Sequence, residues 1–274
     1  MATDITASRG AVRGDSGIVQ PVVRRIDFSD LRAALAAGWA DYGANRTDVI
    51  FLSVIYPVVG LALGRLVYGG NVLPLLFPLA AGFALLGPFA AIGLYELSRR
   101  REQGLASTWR NAFDVLRSRS LGAILLLGAV LMVLFLIWLQ VALGIYELCI
   151  GAAPAASVGM FLHAVFATPG GWALIVLGNG VGLLFAIAAF GLSVVSFPLL
   201  VDRDLAATTA EKVSVAVLTS VRAVRTNPVM MAAWGLIVAA MLVIGSVPFL
   251  LGLAVVMPVL GHASWHLYRR VVVR

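Results

Sequence analysis

The chain reads as an all-α, polytopic membrane protein with six transmembrane helices and three amphipathic interfacial helices. Three observations predict this class. First, 61% of the 274 residues are hydrophobic and only 12% are charged, and the mean hydropathy is +0.99. A soluble domain is about 45–50% apolar and about 25% charged, and a disordered chain lies further in that direction. Second, the apolar residues form continuous runs. Lipid admits only helices and closed barrels, and a barrel would show short alternating segments instead. Third, the basic residues crowd into alternate connections, as expected when one side of a bilayer holds them.

The elements follow in order. Residues 1–27 form a flexible tail rich in Gly, Ala, Arg and Asp, and residues 28–270 form one membrane domain. Arg24, Arg25, Asp27 and Asp30 make the amino-terminal stretch too polar for a cleaved signal peptide. A spanning helix needs about 20 mostly apolar residues. Six segments meet this: Val49 to Val67, Val72 to Leu97, Leu121 to about Leu143, Trp172 to Val201, Val229 to about Ile244, and Phe249 to Tyr268. No charge separates the last two, so one uninterrupted helix competes there. Gly245-Ser246-Val247-Pro248 favours a turn, because a single helix would far exceed the bilayer.

Orientation follows from the cations. With six spans, 19 of the 20 Lys and Arg residues fall on one side, and only Arg65 lies near the other. Connections 68–71, 144–171 and 245–248 contain neither residue. The positive-inside rule then puts both termini in the cytoplasm and the protein in a bacterial inner membrane.

Each hydrophobic pair is preceded by an amphipathic segment. Leu31, Leu35, Trp39 and Tyr42 are spaced four, four and three apart, and Leu105, Trp109, Phe113 and Leu116 repeat that spacing. Val213, Val217, Val221 and Val224 repeat it again. These stripes predict helices lying in the interface, with Arg110, Arg117, Lys212, Arg222 and Arg225 toward anionic lipid headgroups. Pro88 lies eleven residues before Arg99-Arg100, and Pro258 lies eleven before Arg269-Arg270. Either the chain holds three parallel helix-hairpin units, or any positive-inside bundle would produce such connectors.

Three blocks carry a resemblance. Gly87-Pro88-Phe89-Ala90-Ala91-Ile92-Gly93-Leu94-Tyr95-Glu96-Leu97-Ser98-Arg99-Arg100-Arg101-Glu102 is the first. Ser196-Phe197-Pro198-Leu199-Leu200-Val201-Asp202-Arg203-Asp204 is the second, and Gly261 to Arg270 is the third. They resemble the signatures of a bacterial family of predicted integral membrane proteins of unknown function, over roughly residues 28–270. The resemblance implies a fold and carries no catalytic residues. A haem–copper catalytic subunit needs more ligating histidines within its spans than His163, His262 and His266 provide. An accessory subunit needs none.

Candidate chemistry is sparse. The single cysteine, Cys149, excludes intrachain disulfides and thiolate clusters. Cys149, Glu147 and His163 match no spacing of a known site. His262 and His266 share a helix face and are a weak candidate metal pair, with interfacial anchoring as the alternative. Glu96 stands four residues before Arg100, the favoured order for a helical ion pair. If the units are related by symmetry, Glu96, Asp204 and His266 would ring the inner mouth of an ion path; Asp202 and Arg203 lie at that depth. Gln140 and Asn179 are the polar residues well inside spans. Gly178 and Gly182, like Gly60 and Gly64, form small faces for helix packing. No serine-hydrolase, phosphate-loop or metal motif occurs, so no enzyme and no cofactor are expected.

The net charge of +7 would point to nucleic acid in a soluble protein, and no such partner is expected here. The expected partners are anionic headgroups and other membrane proteins, such as a respiratory complex. The favoured function is a non-catalytic scaffold, assembly factor or accessory subunit. A small transporter or channel is the alternative, and two mid-span amides are a thin supply of polar groups for one.

Overall fold

The computed structural model describes residues 11–13, 19–44, 78–79, 87–152, 158–205, 208–247 and 251–273. The expected first hairpin, with Gly60, Gly64 and most of its two spans, lies outside them. Within them the chain is helical, apart from an antiparallel pair of short strands, β1 (Ala11–Arg13) and β2 (Val19–Pro21).

Helix α1 spans Phe28–Ala44. Its amino end is fixed by Asp27, whose Oδ1 accepts from the Ser29 and Asp30 amides at 2.7 and 3.1 Å. One turn, α2 (Gly87–Ala90), leads into α3 (Ile92–Glu102), with Ala91 as the break. A 3-10 helix (Trp109–Arg117) follows, where Thr108 N–H donates to Asn111 Oδ1 at 3.0 Å. The long helix α4 (Leu121–Cys149) runs out from there, and α5 (Val158–Ala167) fills part of the far connection. Thr168 caps α6 (Pro169–Ser193) by accepting from Gly171 N–H at 3.0 Å, with Pro169 in the first turn where its missing donor costs nothing.

The chain returns through a short break at 194–195 into α7 (Ser196–Asp202). Helix α8 (Thr209–Thr226) begins with a reciprocal cap between Thr208 and Glu211. Helix α9 (Pro228–Ser246) and helix α10 (Leu253–Val271) complete the chain.

Among the described residues three helical stretches, not six, are long and apolar enough to cross a membrane: Leu121–Cys149, Pro169–Asp202 and Pro228–Ser246. The expected sixth span, Phe249 to Tyr268, forms as a helix from Leu253 but falls outside that measure. The second half of this helix, α10, carries His262, His266, Arg269 and Arg270 and is buried within the protein. By contrast α4 and α9 expose rows of Leu, Val and Ile, the surface that lipid covers.

The charged ends of α3, α7 and α10 meet α1, the 3-10 helix and α8 in one layer. Its core is Leu31, Ala34, Leu97, Phe197, Leu199, Leu200, Ala223, Trp234, Ala263, Trp265 and Tyr268. The two ends of the described chain close this layer with a backbone ladder. Arg24 N–H donates to Val271 O at 2.9 Å, and Val273 N–H donates to Val22 O at 3.0 Å.

The expected stripes are turned from their predicted direction. In α1 the buried face is Leu31, Ala34, Gly38, Asp41 and Tyr42, while Trp39 is 58% exposed. A Cβ built on Gly38 would lie 2.5 Å from Ala263 N, so the glycine lets α1 cross α10 at backbone contact. In the second segment the element is a 3-10 helix that buries Ala112 and Val115. Its Phe113 and Leu116 face outward, 49% and 60% exposed. In α8 the buried face is Val215, Ala216, Thr219, Ser220 and Ala223, and the four valines flank it. Small residues, rather than the most apolar ones, let these helices approach closely.

Candidate functional site

The densest polar cluster lies where α1, α3 and α10 cross. Asp41 on α1 is 6% exposed and Ser98 on α3 is 1% exposed, while His262 on α10 is fully buried. Asp41 Oδ1 accepts from Arg101 Nη1 at 2.7 Å. Its Oδ2 lies 2.6 Å from Ser98 Oγ and 2.8 Å from His266 Nε2. Ser98 Oγ also lies 2.7 Å from His262 Nδ1.

Burial raises the Asp41 carboxyl, but hydrogen bonds from His266 and Ser98 outweigh it and hold the group below the usual carboxylate range. An ionised Asp41 can only accept. The one Ser98 proton therefore goes to Asp41, and His262 Nδ1–H must donate to Ser98 Oγ. This leaves His262 Nε2 buried without a hydrogen-bond partner.

The order of these groups differs from a hydrolytic triad. There the acid orients an imidazole whose far nitrogen faces the nucleophile. Here the serine sits between acid and imidazole, and it is buried.

The weak metal pair of the sequence is thus engaged differently: His266 Nε2 and His262 Nδ1 are both committed to the Asp41–Ser98 pair. Among the described residues no three His, Cys, Asp or Glu side chains are arranged to hold a metal ion.

A second cluster lines a cleft of about 450 Å³ between α3, the 3-10 helix and α7. Glu96 is bound by Arg99 through two 2.7 Å hydrogen bonds, and Arg100 stands off at 3.9 Å. The Glu96–Arg100 pair expected from spacing is therefore secondary to the i,i+3 pair. Arg100 instead reaches Asp114 on the 3-10 helix at 2.9 Å. At the other wall, Asp202 accepts from Tyr268 Oη at 2.6 Å and from Arg269 at 3.0 Å. Asp204 pairs with the buried Lys212 at 2.7 Å, and this partner holds its carboxyl below the usual range.

Glu96 and Asp204 thus line one cleft. His266 does not join them, since it binds Asp41 in the first cluster. Gln140 and Asn179 are both on exposed helix surface, and Asn179 Nδ2 donates to Ile175 O at 2.7 Å within its own helix. Gly182 packs on Trp138, whereas Gly178 has open space before it. At the far end Cys149 is half-buried, and Glu147 and His163 are exposed.

Three residues that organise the layer were missed by sequence reasoning. Asp41 lies beside the predicted stripe of α1, where no local spacing marks it. Ser98 lay inside the family-like block without a role. Asn227, at the α8–α9 junction, accepts from Ile26 N–H at 2.9 Å and donates to Arg24 O at 3.0 Å. An Asn preceding a proline at a helix start was the available signal for the last.

No curated protein and no solved structure matches the chain. The family match covers less than the expected 28–270: the first resembling block falls inside it, the second does so up to Asp202, and Gly261 to Arg270 lies outside. With the three long apolar helices, the match marks the chain as an integral membrane protein. Residues 76–202 match the model of the family described as predicted integral membrane protein (DUF2189), and over that stretch the chain is similar to that family.

Proposed function

We propose that this chain is a non-catalytic component of a bacterial inner membrane, acting as a scaffold, assembly factor or accessory subunit of a larger complex. The charged layer then faces the cytoplasm. The observation that carries this reading is the way the layer is closed: Asp41, Glu96, Asp202 and Asp204 are each neutralised by cations or hydrogen-bond donors. Such a layer ties the ends of the spans together as a fixed platform. The two mid-span amides are on exposed surface, which gives a transport path little polar lining.

Further support comes from the 3-10 helix. Its exposed Phe113 and Leu116 lie immediately before the first described span, with Arg110 and Arg117 beside them. That arrangement suits the boundary between acyl chains and anionic headgroups. The ladder between residues 22–24 and 271–273 supports an even number of crossings between them.

The test is affinity purification of the full chain from native membranes after mild cross-linking. Recovery of a defined membrane complex in fixed stoichiometry is expected. Purification as a lone protein that conducts solute flux in proteoliposomes would instead assign the transporter reading. Orientation is tested separately, by a carboxyl-terminal fluorescent fusion that should light up in the cytoplasm.

A further inference from the structure

The geometry points to a phosphate-binding site in the cleft beside the first turn of α4, and it rests on the membrane placement proposed above. Five arginines and four carboxylates line the cleft, but the carboxylates are neutralised unevenly. Glu96 is taken by Arg99 and Asp114 by Arg100. Asp202 and Asp204 are held by Arg269 and Lys212, cations from outside the lining, at 3.0 and 2.7 Å.

With Glu102 sharing Arg269, seven cations face five carboxylates, so the cluster keeps an excess of two positive charges. Arg203 stands 3.6 Å from Asp202 while donating to Val273 O, and Arg119 stands 3.5 Å from Asp204 with its side chain 87% exposed. Arg117 has no ion-pair partner among the described residues. Ser118 and Ser120 complete this wall, and α4 starts directly after them. That helix is 29 residues long, and Ser120 gives it no side-chain cap. Its amide-rich positive end therefore adds to the field of the three arginines.

The Ser120 and Leu121 amides already bond to Ser118, so the guanidinium forks would be the groups that meet the oxygens of a phosphate, with the helix dipole adding to their field. The carboxylates do not repel it strongly, because each already faces a cation. Arg119 lies two residues before the first described span. An anionic headgroup in the adjoining leaflet is thus one source of the phosphate, and a free phosphate compound from solution is the other.

The experiment uses the full chain in an uncharged detergent and isothermal titration calorimetry. The probes are short-chain phosphatidic acid, inorganic phosphate and short-chain phosphatidylcholine. Saturable binding of phosphatidic acid alone assigns a lipid site, and equal binding of inorganic phosphate assigns a soluble one. In R117Q/R119Q affinity should fall by about tenfold or more, the loss of at least one charge-assisted contact. R25Q/R32Q removes the same charge from exposed positions outside the cleft and should keep affinity within about twofold. Absence of saturable binding to either phosphate probe would overturn the site. So would equal losses in the two double variants, or binding of phosphatidylcholine as tight as that of phosphatidic acid. Neither result bears on whether the chain co-purifies with a complex.

Discussion

Asp41 Oδ2 and His266 Nε2 lie 2.8 Å apart although 225 residues separate them, which makes α1 and α10 one structural unit. Removing the acid from this buried group leaves Arg101, Ser98 and His266 facing each other without a counter-ion. Arg101 and His266 are partly exposed, so the cost is that of hydrogen bonds to a charged group, about 1.5–3 kcal/mol each. Asp41→Ala is therefore expected to lower the unfolding midpoint in detergent sharply, and Asp41→Asn less so, as followed by tryptophan fluorescence. Equal midpoints for wild type and Asp41→Ala would refute the assignment.

The same carboxyl sets a pH dependence. Its folded-state pKa is depressed, so its contribution is complete above the unfolded value of about 3.9. That contribution is lost as the pH falls through the lower folded value. Stability should be insensitive to this group between pH 5 and 8, on the order of the range where both states are ionised. Below about pH 4 it should drop, and Asp41→Asn should flatten that acid limb.

His262 makes the opposite prediction. Its Nε2 is buried without a partner, and Ser98 can still donate to Asp41 when the imidazole is gone. The lost Nδ1–H leaves one acceptor site of Ser98 Oγ unfilled, and the relieved desolvation of the unpartnered Nε2 offsets most of that cost. His262→Leu should shift stability by less than about 1 kcal/mol. A loss as large as that of Asp41→Ala would show that the imidazole does more than fill space.

Two glycines separate backbone from side-chain crowding. A Cβ on Gly38 would meet the Ala263 backbone at 2.5 Å, whereas a Cβ on Gly261 would meet the tip of Leu94 at 2.5 Å. Leu94 can turn its tip aside, but the α1–α10 crossing must open. Gly38→Ala should cost about 1–3 kcal/mol or more, with Gly261→Ala clearly milder. The comparison reads directly from paired melting curves.

Tyr268 anchors the wall of the charged cleft through its 2.6 Å bond to Asp202. Hydrogen bonds to charged groups contribute about 1.5–3 kcal/mol. Tyr268→Phe keeps the ring on Trp265, at 5.6 Å between centroids, and loses only the hydroxyl. It should destabilise by roughly that amount, and an unchanged midpoint would contradict it.

Hydropathy made α4, the α6–α7 pair and α9 readable, because runs of that length have no stable place in water. It reads α10 as a helix but not what the second half of that helix packs against. The sequence from Leu253 to Val271 is apolar enough to suggest a span, yet its last turns carry the groups that bind Asp41, Glu102 and Asp202. In α1 the largest apolar side chain, Trp39, drew the predicted stripe toward itself. The packed face is set by Ala34 and Gly38, whose value lies in what they leave out. The Asp41 cluster joins α1, α3 and α10, and no local pattern announces a contact made across most of the chain. The tendency of Glu96 to pair within its helix was legible from spacing. The choice of Arg99 over Arg100 was not, since Asp114 competes for Arg100 from another element.

The ladder joining residues 22–24 to 271–273 sets an order of events during synthesis. Helix α1 leaves the ribosome well before α10, the helix whose surface it covers. Until α10 arrives, the acid at position 41 and the cleared surface at Gly38 have nothing to seal them. A nascent or truncated chain therefore displays an open seam, which quality-control proteases can read as unfinished.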